Sequence, residues 1–247
     1  MPALTASETD IGKFWESAVP QIQSLNQSAP VLFKRTSGIE QAFNLGQRCL
    51  VCVDEGITSG IHLAGSGVLL SAEQRQAAVL AANIEIFTTH DNCGAYKLFD
   101  PHSSNPNLAC KTWGEREAAR LNLPHKHITA AEMDRPKNLH NAVAVYYDGA
   151  GRFNRIPGLP PGFVVSRKYF GAAAQSDLEL CLKIALGDHG FGSRFDFGNP
   201  LTIVTIADPA DHELRSSTLI EEVDAVAKQF GPLQVAVQSV KMPLLGS

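Results

Sequence analysis

The sequence predicts an α/β protein: a mainly parallel central sheet with helices on both faces, preceded by an N-terminal helical arm. Three observations predict it. Short apolar runs at residues 49–53, 84–89, 141–147, 201–207 and 235–240 read as buried strands. Helix-length segments separate most of them, which is the spacing of strand–helix–strand units. Hydrophobic residues make up 44% of the 247 residues and charged residues 19%, so a substantial core is available.

The elements follow in order. Residues 1–47 read as the arm, and residues 48–247 as a single α/β metal-binding domain. Ser7 to Asp10 offers capping side chains, and Phe14, Trp15 and Val19 follow at helical spacing. Pro20 is expected to break or restart this helix, and a second helical piece is expected over 37–45. After the strand at 49–53 comes a short one at 61–64, then the turn Gly65-Ser66-Gly67. Ser71 caps a helix running to about residue 82. Further helices are expected at 111–121, 177–186 and 216–230, with a short strand at 162–166. Residues 97–109, 152–161 and 187–200 read as long loops. No internal repeat is visible.

Composition excludes several classes. The formal net charge is -4 and no basic block stands out, so nucleic acid is not an expected partner. No apolar run approaches the ~20 residues that cross a bilayer, so no membrane partner is expected. The start shows no secretory pattern, and the five cysteines are an odd count. Both point to a cytoplasmic protein with reduced thiols.

Chemistry concentrates in two stretches, Cys52-Val53-Asp54 and His90-Asp91-Asn92-Cys93-Gly94, each placed where an apolar run ends. In open α/β sheets such carboxyl edges build sites. Cys52, His90 and Cys93 bring two thiols and an imidazole together, which suits zinc. His90 and Cys93 are close enough for one turn to aim both at a single ion. Three protein ligands leave a fourth position for water, whose pKa zinc can lower towards ~7. His62, on the short second strand, is a candidate proton shuttle because imidazole titrates near neutral pH.

These residues resemble the β-class carbonic anhydrases, over roughly residues 45–150. That family carries Cys-x-Asp-x-Arg after its first strand and His-x-x-Cys-Gly after a later one. Here the stretches read Cys52-Val53-Asp54-Glu55-Gly56 and His90-Asp91-Asn92-Cys93-Gly94. The resemblance implies a zinc lyase that hydrates carbon dioxide to bicarbonate by metal-bound hydroxide. Cys52, His90 and Cys93 are then the metal ligands, Asp54 is the catalytic partner near the fourth position, and the chain forms a homodimer or a higher homo-oligomer. The expected partner is a small-molecule substrate.

One departure stands out: the family's arginine, which pairs with the Asp and holds it off the metal, falls on Gly56. Either Asp54 ligates the ion and closes the site, or Glu55, His62, Arg167 or Arg194 supplies the missing charge. The alternatives are therefore an enzyme acting on carbon disulfide or carbonyl sulfide on the same scaffold, and a non-catalytic zinc-binding regulatory protein.

Overall fold

The computed structural model describes residues 8–136, 139–187, 192–231 and 235–241, and side chains from residue 12 onward. The capping segment at residues 7–10 therefore lies outside the described side chains, and the last part of the loop segment at 187–200 begins to be described at Gly192.

The fold is α/β and every strand pairing is parallel. The first four strands are β1 (Cys49–Val51), β2 (Ile61–His62), β3 (Ile86–His90) and β4 (His125–Ile128). The second four are β5 (Ala144–Asp148), β6 (Gly162–Ser166), β7 (Leu201–Ala207) and β8 (Val235–Lys241). One central sheet was the expectation; two four-stranded sheets are found, ordered β2-β1-β3-β4 and β6-β5-β7-β8. The second order is the first with every strand advanced by four places. The chain thus repeats one topology twice, a relationship that its residues do not display because the two halves share no motif.

The two sheets meet where β2 lies beside β6. The seam is hydrogen-bonded: the His62 amide donates to Ser166 Oγ at 2.9 Å, and the Val164 amide donates to the Val53 carbonyl at 3.3 Å. Every residue of β5, β6 and β7 is buried, so both faces of the second sheet are covered. That explains why these strands read as continuous apolar runs.

Among the described residues seven α-helices connect and cover the strands: α1 (Glu8–Arg35), α2 (Ala72–Ala81), α3 (Gly94–Phe99), α4 (Pro106–Arg120), α5 (Arg167–Phe170), α6 (Ala172–Leu186) and α7 (Ser216–Ala227). Helix α2 starts as expected. Ser71 accepts from the Gln74 amide while the Gln74 side chain accepts from the Ser71 amide, closing a capping box. Helices α3 and α4 take both ends of the expected long loop at 97–109 and leave residues 100–105 between them. Asn105 caps α4 by accepting from the Leu108 amide, and Pro106 fills the first helical position, where its missing N–H costs nothing.

Helix α1 runs through Pro20 without breaking. Its kink falls instead at Ser28, two residues ahead of Pro30, whose ring and missing N–H disrupt the preceding turn. Only a short 3₁₀ turn, Ile39–Phe43, forms where a second helical piece was expected. The apolar stripe Trp15, Ala18, Ile22, Leu25, Ala29 and Phe33 is buried within the chain itself, and α1 packs against β7 and β8. The arm therefore covers its own second sheet. With its apolar face covered in this way, the arm adds no argument of its own for the homo-oligomer that the resemblance implies. Among the described residues, no helix is long and apolar enough to cross a membrane.

Trp15 stacks edge-on against Phe195 with ring centroids 5.2 Å apart. Truncating a buried aromatic typically costs 3–5 kcal/mol. Trp15→Ala is expected to lower the unfolding free energy in urea by about 3 kcal/mol, while light scattering shows the parent's mass. A changed mass with unchanged stability would return α1 to the role of an intersubunit arm.

Candidate metal centre

The site forms at the carboxyl edge of the first sheet, where the chain leaves β1 for β2 on one side and β3 lies on the other. Ligands collect at such switch points because the diverging connections open a crevice there. Cys52 follows β1 directly, His90 is the last residue of β3, and Cys93 stands just ahead of α3. Asn92, in the left-handed region with φ 60°, makes the tight turn between His90 and Cys93. Its amide is held by Asn107 Oδ1 at 2.8 Å.

The three expected ligands come together. One ligand atom from each of Cys52, His90 and Cys93 lies within 4.8 Å of the others, and all three residues are buried. His90 Nδ1 hydrogen-bonds the Asp91 carbonyl at 2.8 Å, which fixes the ring. Nε2 faces the two thiols and is buried with no hydrogen-bond partner among the described residues. A buried ring nitrogen left unsatisfied among thiols is the donor arrangement a soft or borderline cation satisfies.

Neighbouring backbone completes the cradle. The turn after β2 places Gly65 at φ 52°, and its amide donates to Cys52 Sγ at 3.1 Å. A Cβ at Gly65 would come within 2.6 Å of Val68 Cγ1 and 2.9 Å of Ala95 Cβ. Both the φ and the space therefore require glycine there. Asp177 of α6 holds the same turn by accepting from the Ala64 amide at 2.8 Å, so the second half of the chain braces the centre.

Asp54 is the decisive neighbour, and the residue that pairs with it was not foreseen. Arg135 approaches with its guanidinium fork: Nε donates to Oδ1 at 2.8 Å and Nη2 donates to Oδ2 at 3.2 Å. The Gly56 amide donates to Oδ1 as well, at 2.9 Å. Both oxygens of Asp54 are thus held by Arg135, in a pair whose side chains are only 5% exposed. The candidates named from sequence do not fill this role. Arg167 forks onto Glu222, at 2.7 Å for both bonds. Arg194 lies in a 3₁₀ turn of the second half and makes no ion pair with Asp54. Glu55 is buried and accepts from His140 Nδ1 at 2.8 Å and from the Asn141 amide at 2.9 Å. Gly56 now has a reason: a Cβ there would sit 2.8 Å from Arg135 Cγ. The glycine vacates the space that an arginine from 79 positions later occupies.

Electrostatics follow the burial. Desolvation pushes the Asp54 carboxyl up, but His90, Arg135 and His140 outweigh it and hold the pKa below its ordinary value. The Cys93 thiol and burial push the Cys52 thiol well up. Cys93 is pushed up to about 12, chiefly by the adjacent Cys110 thiol. Burial works to lower His90, but the Cys52 sulfur and Asp54 prevail and raise it to about 9. Without a cation the two thiols therefore keep their protons at neutral pH. His62 behaves differently. Its Nδ1 is tied to the Cys52 carbonyl at 2.9 Å, and burial pushes its pKa down to about 4. An imidazole held neutral in this way has no charge change near neutral pH, so the placement gives the expected shuttle role no support. His62 instead props the Cys52 backbone.

Of the remaining cysteines, Cys110 on α4 and Cys181 on α6 are buried free thiols and Cys49 is half-buried, as expected of core cysteines.

A cation entering this centre must displace the protons that the two thiols hold. Binding is expected to release more than one proton per ion, so that apparent affinity rises more than about tenfold per pH unit between pH 6 and 8. Metal titrations followed at several pH values check this. Affinity that stays flat over that range would mean that the cluster is already deprotonated.

No protein-family model matches the chain, and no curated protein or solved structure matches it significantly; the reading of this centre rests on its own residues.

Proposed function

We propose that the chain is a zinc enzyme that hydrates carbon dioxide to bicarbonate, similar to the β-class carbonic anhydrases. The observation that carries the reading is the Arg135 fork on Asp54 beside the Cys52, His90 and Cys93 cluster. It supplies, from another part of the chain, the carboxylate–guanidinium pair that the motif at residues 52–56 lacks.

Cys52, His90 and Cys93 would hold the ion. Two sulfurs and one nitrogen fit zinc and leave one position of a tetrahedron for water. When bound, zinc lowers the pKa of such a water towards ~7 and so makes it a nucleophile at neutral pH. The chain's own residues do the rest. Arg135 keeps Asp54 ionised and turned towards its guanidinium, which leaves the carboxylate as a hydrogen-bond acceptor rather than a ligand. Asp54 orients an attacking water by accepting one of its hydrogens, so that a lone pair points at the substrate carbon. Burial of the cluster excludes bulk water and strengthens each of these interactions. Because His62 stays neutral, the proton released in each turnover leaves by another route. Buried Glu55 and half-buried His140, tied together beside Asp54, are the adjacent titratable pair.

The reading is tested by metal analysis and stopped-flow hydration. Purified protein is expected to carry about one zinc per chain and to hydrate carbon dioxide. Arg135→Ala removes the partner of a buried carboxylate, a loss that typically costs 3–5 kcal/mol. It should destabilise the fold by about 3 kcal/mol and lower kcat/KM at least tenfold while zinc content holds. Gly56→Arg, which would restore the family residue, is expected to lower activity, because Arg135 already fills that space. Protein that is folded, takes up no zinc and hydrates nothing would overturn the proposal.

A further inference from the structure

The second sheet has a switch point of its own. From β5 the chain crosses to β6 on one side, and β7 lies on the other. The carboxyl ends of β5 and β7 are therefore the counterpart, in this half, of the edge where Cys52 and His90 meet. The edge opens into a cavity of about 520 Å³, the size of a small-molecule site. None of the described residues that line it is a cysteine or a histidine. Arg152 follows β5, Lys168 and Tyr169 follow β6, and Asp208 follows β7; Leu45 and Arg48 close it from the segment before β1.

The cavity is built rather than incidental. Asp148 at the end of β5 accepts from the amides of Ala150, Gly151 and Phe153 at 2.9, 3.1 and 2.9 Å, which pins the loop carrying Arg152. Gly151 takes φ 72°, and a Cβ there would meet Lys168 Cδ and Tyr169 Cε2, each at 2.8 Å. Only glycine lets Lys168 and Tyr169 close over this loop. Because Asp148 already occupies the loop amides, side chains must hold any ligand.

Three cations face one carboxylate in this cavity. Lys168 and Asp208 pair at 2.8 Å and largely cancel. Arg48 has one nitrogen on the Ala82 carbonyl at 2.9 Å. The exposed Arg152 guanidinium makes no side-chain hydrogen bond or ion pair among the described residues and acts on Asp208 through its charge alone. Two guanidinium groups are thus left to face a ligand, with Tyr169 and Leu45 as an apolar wall. A phosphomonoester carries about -1.5 to -2 at pH 7 and offers oxygens to guanidinium forks, which a single carboxylate matches less well.

We propose that this cavity is a binding site for a small organic phosphate, separate from the metal centre. Its phosphoryl group lies between Arg48 and Arg152, and its organic part rests on Tyr169 and Leu45. The full chain is titrated calorimetrically with inorganic phosphate and with phenyl phosphate. Phenyl phosphate should bind saturably at one site per chain and more tightly than inorganic phosphate. Arg152→Ala should weaken it at least tenfold, and the variant stays folded because that side chain makes no internal bond. Cys52→Ser should bind as the parent does, which separates this site from the Cys/His cluster. Arg116→Ala, which removes an exposed arginine of α4 outside the cavity, should also leave binding unchanged. The proposal is overturned if neither compound binds saturably, if Arg152→Ala binds as the parent, if Cys52→Ser abolishes binding, or if Arg116→Ala weakens it as much as Arg152→Ala does. Phenyl phosphate binding no tighter than inorganic phosphate would overturn the assignment of an organic phosphate.

Discussion

A carboxylate as deeply buried as Asp54 stays ionised only beside a cation, because desolvation alone would protonate it. The surroundings of the metal centre are arranged to meet that requirement. Arg135 presents its planar fork to both oxygens. The segment carrying Arg135 is held in register by the Asp134 amide, which donates to the Gly56 carbonyl at 2.8 Å. Asp134 also accepts from Arg155 at 2.8 Å, and Arg155 reaches back to the Glu55 carbonyl at 3.3 Å. The Glu55–His140 pair fastens the far end of the same segment. Removing Arg135 would therefore leave a buried charge unpaired and loosen a loop that covers one side of the centre. A lysine would supply the charge but not the fork, since its ammonium is a point donor.

The duplicated topology gives this centre its second source of support. Both sheets turn from their central strand to each side in the same order, and both place their chemistry at the carboxyl edge. The first half carries the thiols and the imidazole. The second half carries Asp148 and Asp208 at the corresponding strand ends and contributes scaffold to the first. Ser166 of β6 receives the His62 amide, and Asp177 of α6 receives the Ala64 amide. The two halves are thus joined through the residues that frame the cluster. Helix α1 in turn covers β7 and β8, so the arm supports the second sheet.

Much of this was legible in the sequence, and the limits have physical causes. Strands β1, β3, β5 and β7 declare themselves because burial on both faces demands continuous apolar runs, and the half-buried β8 is apolar enough to read as a strand as well. The candidate ligands declare themselves because Cys52, His90 and Cys93 stand at strand ends with a short His-x-x-Cys spacing. Arg135 was not legible. It acts across 81 positions, from a segment without regular structure, and one arginine among twenty-one basic residues carries no spacing signal. A signal did exist at the other end: Gly56, where the related motif has arginine, marks a space left for another group. The repeat was hidden for a different reason. Strand order is fixed by connection geometry, which sequences can keep after every motif has changed. What covers helix α1 was not legible either, because an amphipathic stripe shows that a face is buried without showing what buries it.

The central claim is that Arg135 holds Asp54 off the metal and keeps one coordination position exchangeable. The most direct measurement is the visible spectrum of the cobalt-substituted protein as azide is added. Four-coordinate cobalt with an exchangeable position changes its absorption when an anion enters it. The parent should respond to azide with a saturable spectral change. Arg135→Ala, whose carboxylate is free to swing onto the ion, should respond weakly or not at all. A parent spectrum indifferent to azide would contradict the account, since it would mean that the fourth position is already closed by the protein.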